Sequence, residues 1–389
     1  MDLTALREHR VGVLASGGLS ATTIGAWLAE NGVDTVSYVA DIGQDVPFGA
    51  AELSGLLDEQ GLPNRVVDLR GEMAETDLDL IRYQATYDGG YWNTTGAARG
   101  EVLVAGLAGE LRTDGCTVLV HGCVGGGNDQ ARFARYGAAL ASDLTVFTPW
   151  TQPWLLERFP SRASMTEYLL ELGYPKSFAD YTDYSVDGNL GGYSHESCDL
   201  EELDTRSDVI TPIMTRWPQQ APDTAETFRV RFSGGRPVDI DGLAVDAVQA
   251  VLAANEAGRR NGISLLSVVE NRVNGTKCRG VYEAPGLEVL GRCLNALYQT
   301  TLDKDATELA RTLFQRLGRA TYEGTMLEPA ALAARAAADL LTQRATGTIE
   351  VDLYKGNVIV SGVREIADLP GTERQTRFTN GGHAWHVRT

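Results

Sequence analysis

The stretch Val11-Gly12-Val13-Leu14-Ala15-Ser16-Gly17-Gly18-Leu19-Ser20-Ala21-Thr22-Thr23 decides the fold of this chain. Val11 to Ala15 reads as a short buried strand, and Thr23 to Glu30 has the spacing of a helix. The Ser-Gly-Gly turn between them lets backbone N–H groups and a helix N-terminus converge on an anion, because glycine has no Cβ to block close approach. The prediction is a phosphate or pyrophosphate cradle. No Gly-Lys-Ser/Thr follows, so this is not the P-loop of nucleoside triphosphatases, and the three spaced glycines of dinucleotide sites are missing.

Working outward, strands and helices alternate through the first half. Strand patterns cover 33–40, 64–69, 116–121 and 144–147, and helical spacing covers 50–60 and 100–112. This predicts an α/β fold with a parallel sheet covered on both faces. Ligands of such sheets bind beyond the carboxyl ends of the strands. Ser16, Asp41 and His121 each follow an apolar run, so three motifs are expected on one edge. Pro149, Pro153 and Pro160 punctuate a Trp-containing connector that suggests a domain border. Helical spacing resumes at 164–173, whereas 180–196, rich in Tyr, Ser, Gly and Asp, reads as a functional loop. Hairpins are expected at 227–240 and 348–360, and helices at 245–257, 287–302 and 329–342, giving an α+β second half. The expected division is 1–170 for nucleotide binding, 171–366 for a second, α+β domain, and 367–389 as a short tail.

The 389 residues carry a net charge of −18, which opposes non-specific binding to nucleic acid or anionic membranes. An anionic ligand then has to be received by local amides, a few cations and a divalent metal. No apolar run is long enough to span a bilayer and no signal-peptide pattern opens the chain, so a cytoplasmic protein is expected. The five cysteines lack metal-ligand spacing and read as reduced thiols.

Ser16-Gly17-Gly18-Leu19 after a strand resembles the signature of the N-type ATP pyrophosphatases, which split ATP between its α and β phosphates. Further segments resemble the argininosuccinate synthase family, in family order: 39–44, 91–99, His121-Gly122-Cys123-Val124-Gly125-Gly126-Gly127-Asn128-Asp129-Gln130-Ala131-Arg132-Phe133, Tyr184 to Leu190, Val269 to Arg272, and Gly280 to Gly286. The resemblance covers roughly residues 10 to 365. It implies an ATP- and Mg²⁺-dependent ligase of arginine biosynthesis that adenylates a citrulline-type ureido oxygen, releases pyrophosphate, and lets an amine such as aspartate displace AMP. It also implies a homo-oligomer, with the short tail after Asp368 setting a tetramer apart.

Residue by residue, the resemblance places ATP on Leu14, Ala15, Ser16, Gly17, Gly18, Leu19, Ser20, Thr22, Ala40, Gly122, Gly125 and Gly127. The ureido amino acid falls on Tyr91, Asn128, Arg132, Ser185, Ser194, Glu270 and Tyr282. The amine side falls on Thr95, Val124, Asn128 and Asp129, and catalysis on Ser16, Asn128, Asp129 and Arg132. Arg132 suits an α-carboxylate through its planar fork, and Glu270 an α-ammonium.

The departures cluster. Val124 and Gly126 stand where the family has Thr and Lys, Gly96 where it has Ser, and Ser20-Ala21 where it has Asp-Thr. Asp41, at a strand end on the same rim, is the expected substitute for the missing acid near Mg²⁺. Three readings stay open: an ordinary family enzyme using aspartate, a divergent ligase using another amine, and a non-catalytic relative that binds nucleotide or amino acid.

Overall fold

The computed structural model describes residues 1–124, 126–176 and 184–366. In the first half, β1 (Arg10–Leu14), β2 (Asp34–Asp41) and β3 (Asn64–Asp68) run parallel. After the two-residue antiparallel pair β4 (Thr86–Tyr87) and β5 (Tyr91–Trp92), β6 (Val118–Val120) and β7 (Thr145–Phe147) complete the sheet. The strand order is β3-β2-β1-β6-β7. The chain therefore builds outward from β1 to one side and then returns to build on the other. The crevice of such a sheet opens where that direction reverses, between the carboxyl ends of β1 and β6. Ser16 and His121 leave the sheet at those two ends, and Asp41 ends the neighbouring β2, as the sequence predicts.

Val11 and Val13 are buried on the sheet, and Gly12 between them has no room for a side chain: a Cβ there would lie 2.0 Å from Leu111 Cδ2. The helix Ala105–Thr113 thus seats directly on β1. It continues a π-helical stretch, Arg99–Val104, where Gly100 admits the Tyr136 ring; a Cβ would come within 2.6 Å of it. The helix of the opening motif begins at Leu19, earlier than the expected start at Thr23, with Gly18 as its N-cap.

The second half comprises β8 (Ser185–Asn189), β9 (Gly192–Glu196), β10 (Glu226–Ser233), β11 (Arg236–Ile240), β12 (Leu243–Ala244), β13 (Leu265–Asn271), β14 (Lys277–Glu283), β15 (Gly347–Tyr354) and β16 (Asn357–Arg364). These form two antiparallel sheets, β12-β11-β10-β15-β16 and β13-β14-β9-β8. Both expected hairpins are present. Helix Pro285–Thr301 buries Leu287, Leu290, Leu294 and Leu297 and packs against helices Ala247–Arg260 and Arg70–Arg82 and against β15 and β16. One hydrophobic core includes residues from both halves.

The expected loop at 180–196 is corrected. Within its described part, residues 185–196 form the β8–β9 hairpin, hydrogen-bonded to β14. Its polar residues sit on a sheet and line a cleft, so no apolar alternation reveals the strands. Helices Arg70–Arg82 and Lys304–Glu323 were not expected either. The second begins at Asp303, whose side chain accepts the Ala306 amide at 2.8 Å, and stops at Gly324 with φ +69°. The tail 367–389 lies outside the described residues.

Glu283, buried at the end of β14, accepts the amides of Ile213, Met214 and Thr215 at 2.8, 2.8 and 2.7 Å and lies 2.7 Å from His195 Nε2. Glu283→Ala strands these donors without an acceptor. It is expected to cost about 3–5 kcal/mol of unfolding free energy in denaturant titrations. A loss under about 1 kcal/mol would mean the 213–215 segment is held by other contacts.

Candidate active site

Three groups of residues meet beyond the β1 and β6 strand ends. The first is the phosphate loop. Gly17 takes φ +74°, and a Cβ there would strike Phe48 at 2.5 Å. Gly18 caps the twelve-residue helix Leu19–Glu30 with no side-chain hydrogen bond, so the first-turn amides have no competing side-chain cap. The Gly18 amide lies 3.5 Å from Ser16 Oγ. The loop after β6 presses against the same turn: a Cβ on Gly122 would lie 2.5 Å from Ala21 Cα. That loop ends at Gly127, which caps helix Asn128–Leu140, again without a side-chain cap. These uncapped amides and the glycine-only contact fit a polyphosphate. The Thr22 hydroxyl donates to the Gly18 carbonyl at 3.0 Å, bracing the turn. Leu14, Ala15, Leu19, Ser20 and Ala40 flank the loop, and Gly125 lies outside the described residues.

The second group is a knot of charges. Asp129 receives Arg99 Nη2 at 3.0 Å and Arg132 Nη1 at 2.7 Å, and Arg99 Nη2 also reaches Asp187 at 3.2 Å. Burial would raise the Asp129 carboxyl, but Arg99 and then Arg132 outweigh it and hold the group well below the usual carboxylate range. Asp187 shares only Arg99 and is more than half exposed. Arg132 Nε donates to the Tyr322 carbonyl at 2.8 Å, and its guanidinium stacks over the Tyr322 ring at 5.0 Å. The planar fork expected for a substrate carboxylate is thus largely engaged within the protein.

The third group is a tyrosine ladder around Glu270. The buried Glu270 carboxylate accepts the Tyr91 hydroxyl on Oε2 and the Tyr322 hydroxyl on Oε1, the latter at 2.6 Å. Tyr91 stacks on Tyr282 at 3.9 Å and Tyr322 on Tyr87 at 3.7 Å. Asn128 Nδ2 donates to the Tyr322 hydroxyl at 2.7 Å, and Asn128 Oδ1 accepts the Val273 amide at 3.0 Å. The buried Tyr282 hydroxyl has no partner, nor does His121 Nε2. Burial pushes His121 down to about 4, so its imidazole is neutral. Its Nδ1 lies 3.3 Å from the Cys123 amide, which leaves Nε2 to carry the proton. These two donors face no protein acceptor and suit a ligand.

Ser194 opposes Tyr282 across β9–β14 and Asp187 across β8–β9, so it joins this wall. Ser185 Oγ donates to the Glu196 carbonyl at 3.0 Å at the hairpin's mouth. Thr95 sits in the short helix Thr94–Ala98, and Val124 is 55% exposed on the glycine loop. Asp41 accepts the Gly43 amide at 3.1 Å and lies 3.6 Å from Arg70 Nε, so its carboxylate is committed to the rim. Among the described residues no group of three or more His, Cys, Asp or Glu is disposed to hold a metal. Reading the sequence missed Arg99, Asp187, Glu196 and Tyr322. The first two lie inside quoted motifs and Glu196 in the segment taken for a loop. Tyr322 comes from an unrecognised helix, and only its helical spacing could have flagged it.

The fold is that of a two-part α/β protein, a five-stranded parallel sheet joined to a half built on antiparallel sheets, with a glycine-lined cleft at the parallel strand ends. The model of the arginosuccinate synthase N-terminal HUP domain matches residues 10–175, and that of the arginosuccinate synthase C-terminal domain matches 184–377. The chain is 35% identical over 368 residues to the argininosuccinate synthase of Photobacterium profundum, covering 93% of this chain and 89% of that protein. It is 34% identical over 380 residues to the argininosuccinate synthase of Vibrio campbellii, covering 96% and 92%. The chain belongs to the argininosuccinate synthase family. Among the described residues no helix is long and apolar enough to cross a membrane.

Glu196 supplies a pH test. Burial, then the nearby Glu270, Asp187 and Asp129 carboxylates, push its carboxyl up to about 8. The native state then holds a proton between about pH 4.5 and 8 that the unfolded chain releases, so stability falls as pH rises through that window. Part of the side chain is open to the cleft, which moderates the effect. Glu196→Gln should flatten this slope in thermal midpoints taken from about pH 5 to 8.5. An unchanged slope would show that Glu196 is ionised throughout.

Proposed function

We propose that the chain is an ATP-dependent ligase that activates a citrulline-type ureido group and joins it to an amine. The observation that carries this reading is the Gly122–Ala21 contact. It brings the uncapped phosphate-loop helix against the loop that leads into Asn128, Asp129 and Arg132, so a triphosphate and the charge knot share one cleft. The ureido oxygen attacks the α-phosphorus, and the bond to the β-phosphate bridging oxygen breaks as pyrophosphate leaves. The amine nitrogen then forms a bond to the ureido carbon, and AMP leaves with the former ureido oxygen.

The chain's own residues bind and orient. First-turn amides after Gly18 receive the pyrophosphate end, where charge accumulates as it departs. Tyr282, Ser194 and Glu270 line the ureido amino acid's place, Glu270 supplying negative charge for an α-ammonium. Asp129, kept ionised by Arg99 and Arg132, holds the far wall rigid. Mg²⁺ would arrive on the triphosphate, where it screens the phosphate oxygens. This is a role for small-molecule substrates in arginine biosynthesis, in keeping with the relatives' names. The homo-oligomer and the cytoplasmic setting implied by the resemblance belong to the same reading.

A second reading differs only in the amine. Val124 presents an isopropyl group and Gly126 no side chain where the resemblance places Thr and Lys. The deciding assay is pyrophosphate release from MgATP with citrulline, with aspartate, without it, and with a panel of other amines. Release that needs citrulline and rises with aspartate supports the aspartate reading. Release that needs citrulline but ignores aspartate supports another amine, and no release under any combination overturns both. Within an active protein, Glu270→Gln is expected to lower kcat/KM for citrulline by roughly a hundredfold, about 2.7 kcal/mol of transition-state binding. A change under about threefold would remove Glu270 from the substrate wall.

A further inference from the structure

The β8–β9 hairpin joins the substrate wall to the nucleotide sheet. Its open end carries Ser185, Asp187, Ser194 and Glu196, while its turn, Asn189 to Gly192, is sunk between the two halves of the molecule. There the Leu190 amide donates to the Ile42 carbonyl at 2.8 Å, just past β2, and Asn255 Nδ2 donates to the Leu190 carbonyl at 2.8 Å. The Asp45 amide donates to the Tyr193 hydroxyl at 2.9 Å. Asn189 Oδ1 folds back to accept the amides of Gly191 and Gly192 at 2.9 and 3.3 Å.

Against this turn stands Asp77 of helix Arg70–Arg82, wholly buried, with neither carboxyl oxygen hydrogen-bonded. A Cβ on Gly191 would fall 2.2 Å from Asp77 Oδ1 and 2.5 Å from both Cγ and Oδ2, and these are its three nearest atoms. Gly191 is not among the residues with positive φ, so the Asp77 carboxyl, rather than backbone shape, is what excludes a side chain there. Asn189 Nδ2 is also buried without a partner. Burial drives the Asp77 carboxyl well above its usual range, so it is seated as the uncharged acid and is able to donate as well as accept. No charged neighbour contributes to that shift.

We propose that Asp77 is a positioning residue: paired with the bare Gly191, it forms the seat that fixes how deeply the hairpin turn enters, and so aligns Ser194 and Glu196 with Tyr282 and Glu270. Its effect on activity rests on the ureido-ligase reading above, whereas its effect on stability does not.

Gly191→Ala drives a methyl group into the seat. It is expected to raise the citrulline KM at least about tenfold while MgATP KM moves less than about threefold, with a lowered thermal midpoint. Asp77→Ala alone empties the seat and should raise citrulline KM, whereas Asp77→Asn, of the same shape and uncharged, should keep it near the parent value. The combined Asp77→Ala and Gly191→Ala protein places the methyl in the vacated space. It should recover both citrulline KM and thermal midpoint relative to Gly191→Ala alone. An unimpaired Gly191→Ala, or a double variant whose losses simply add, overturns the proposal. If the parent shows no citrulline-dependent turnover, the functional reading falls. The thermal-midpoint cycle then decides the seat alone, recovery supporting it and additivity overturning it.

Discussion

Arg132 is buried and Arg99 nearly so, and the carboxylate of Asp129 lies between their guanidiniums at 3.0 and 2.7 Å. Two charges taken out of water are tolerable only with close partners, and losing the shared acid would leave both uncompensated. Each arginine carries the demand further. Arg99 reaches Asp187 on β8, and Arg132 reaches the Tyr322 carbonyl on the helix Lys304–Glu323. One carboxylate thereby fixes a π-helical turn, a strand end and two helices relative to one another. Gly324 belongs to the same arrangement: its φ of +69° ends the helix, and its bare Cα lets Arg132 pack where a Cβ would stand 2.9 Å from Cγ.

The nucleotide half was legible in the sequence because its signals are local. A strand, a Ser-Gly-Gly turn and a helix occupy adjacent positions, and the parallel order puts their ends on one edge without reference to the rest of the chain. The substrate half was legible in part. Asn128, Asp129, Arg132, Glu270 and Tyr282 were named, yet Asn128 proves to bridge Tyr322 and Val273, and most of Arg132's fork is used within the protein. Such roles depend on partners far along the chain; Asn128 and Tyr322 are 194 residues apart. The β8–β9 hairpin was hidden for another reason: its polar residues face a cleft, and the alternation that marks a half-buried strand vanishes when neither face is uniformly apolar.

An acidic chain that receives ATP faces an electrostatic conflict, since a net charge of −18 repels a polyphosphate. The structure meets it locally rather than globally. Uncapped amides at Leu19 and Asn128 offer positive potential without adding cations, and Arg99 and Arg132 are neutralised by their own acids. The low dielectric that makes unpaired charges expensive also strengthens these fixed dipoles over the short distances at which a phosphate would sit.

The bare positions that the resemblance places on the amine side divide by what fills them. Gly96 does not leave a gap: a Cβ there would stand 2.8 Å from Arg132 Cζ and 2.3 Å from Asn93 Nδ2, so the missing side chain is the room those groups occupy. Gly126 is the reverse case, with φ +77° and no atom within 4 Å of a notional Cβ. Beside it Val124 turns an isopropyl group outward. Among the described residues, this part of the rim is bounded by main chain and one apolar side chain rather than by cations. In the ligase reading proposed above, an amine meeting this part of the rim is sorted by shape and by loop main chain, because the Asp129 charge is already met by Arg99 and Arg132.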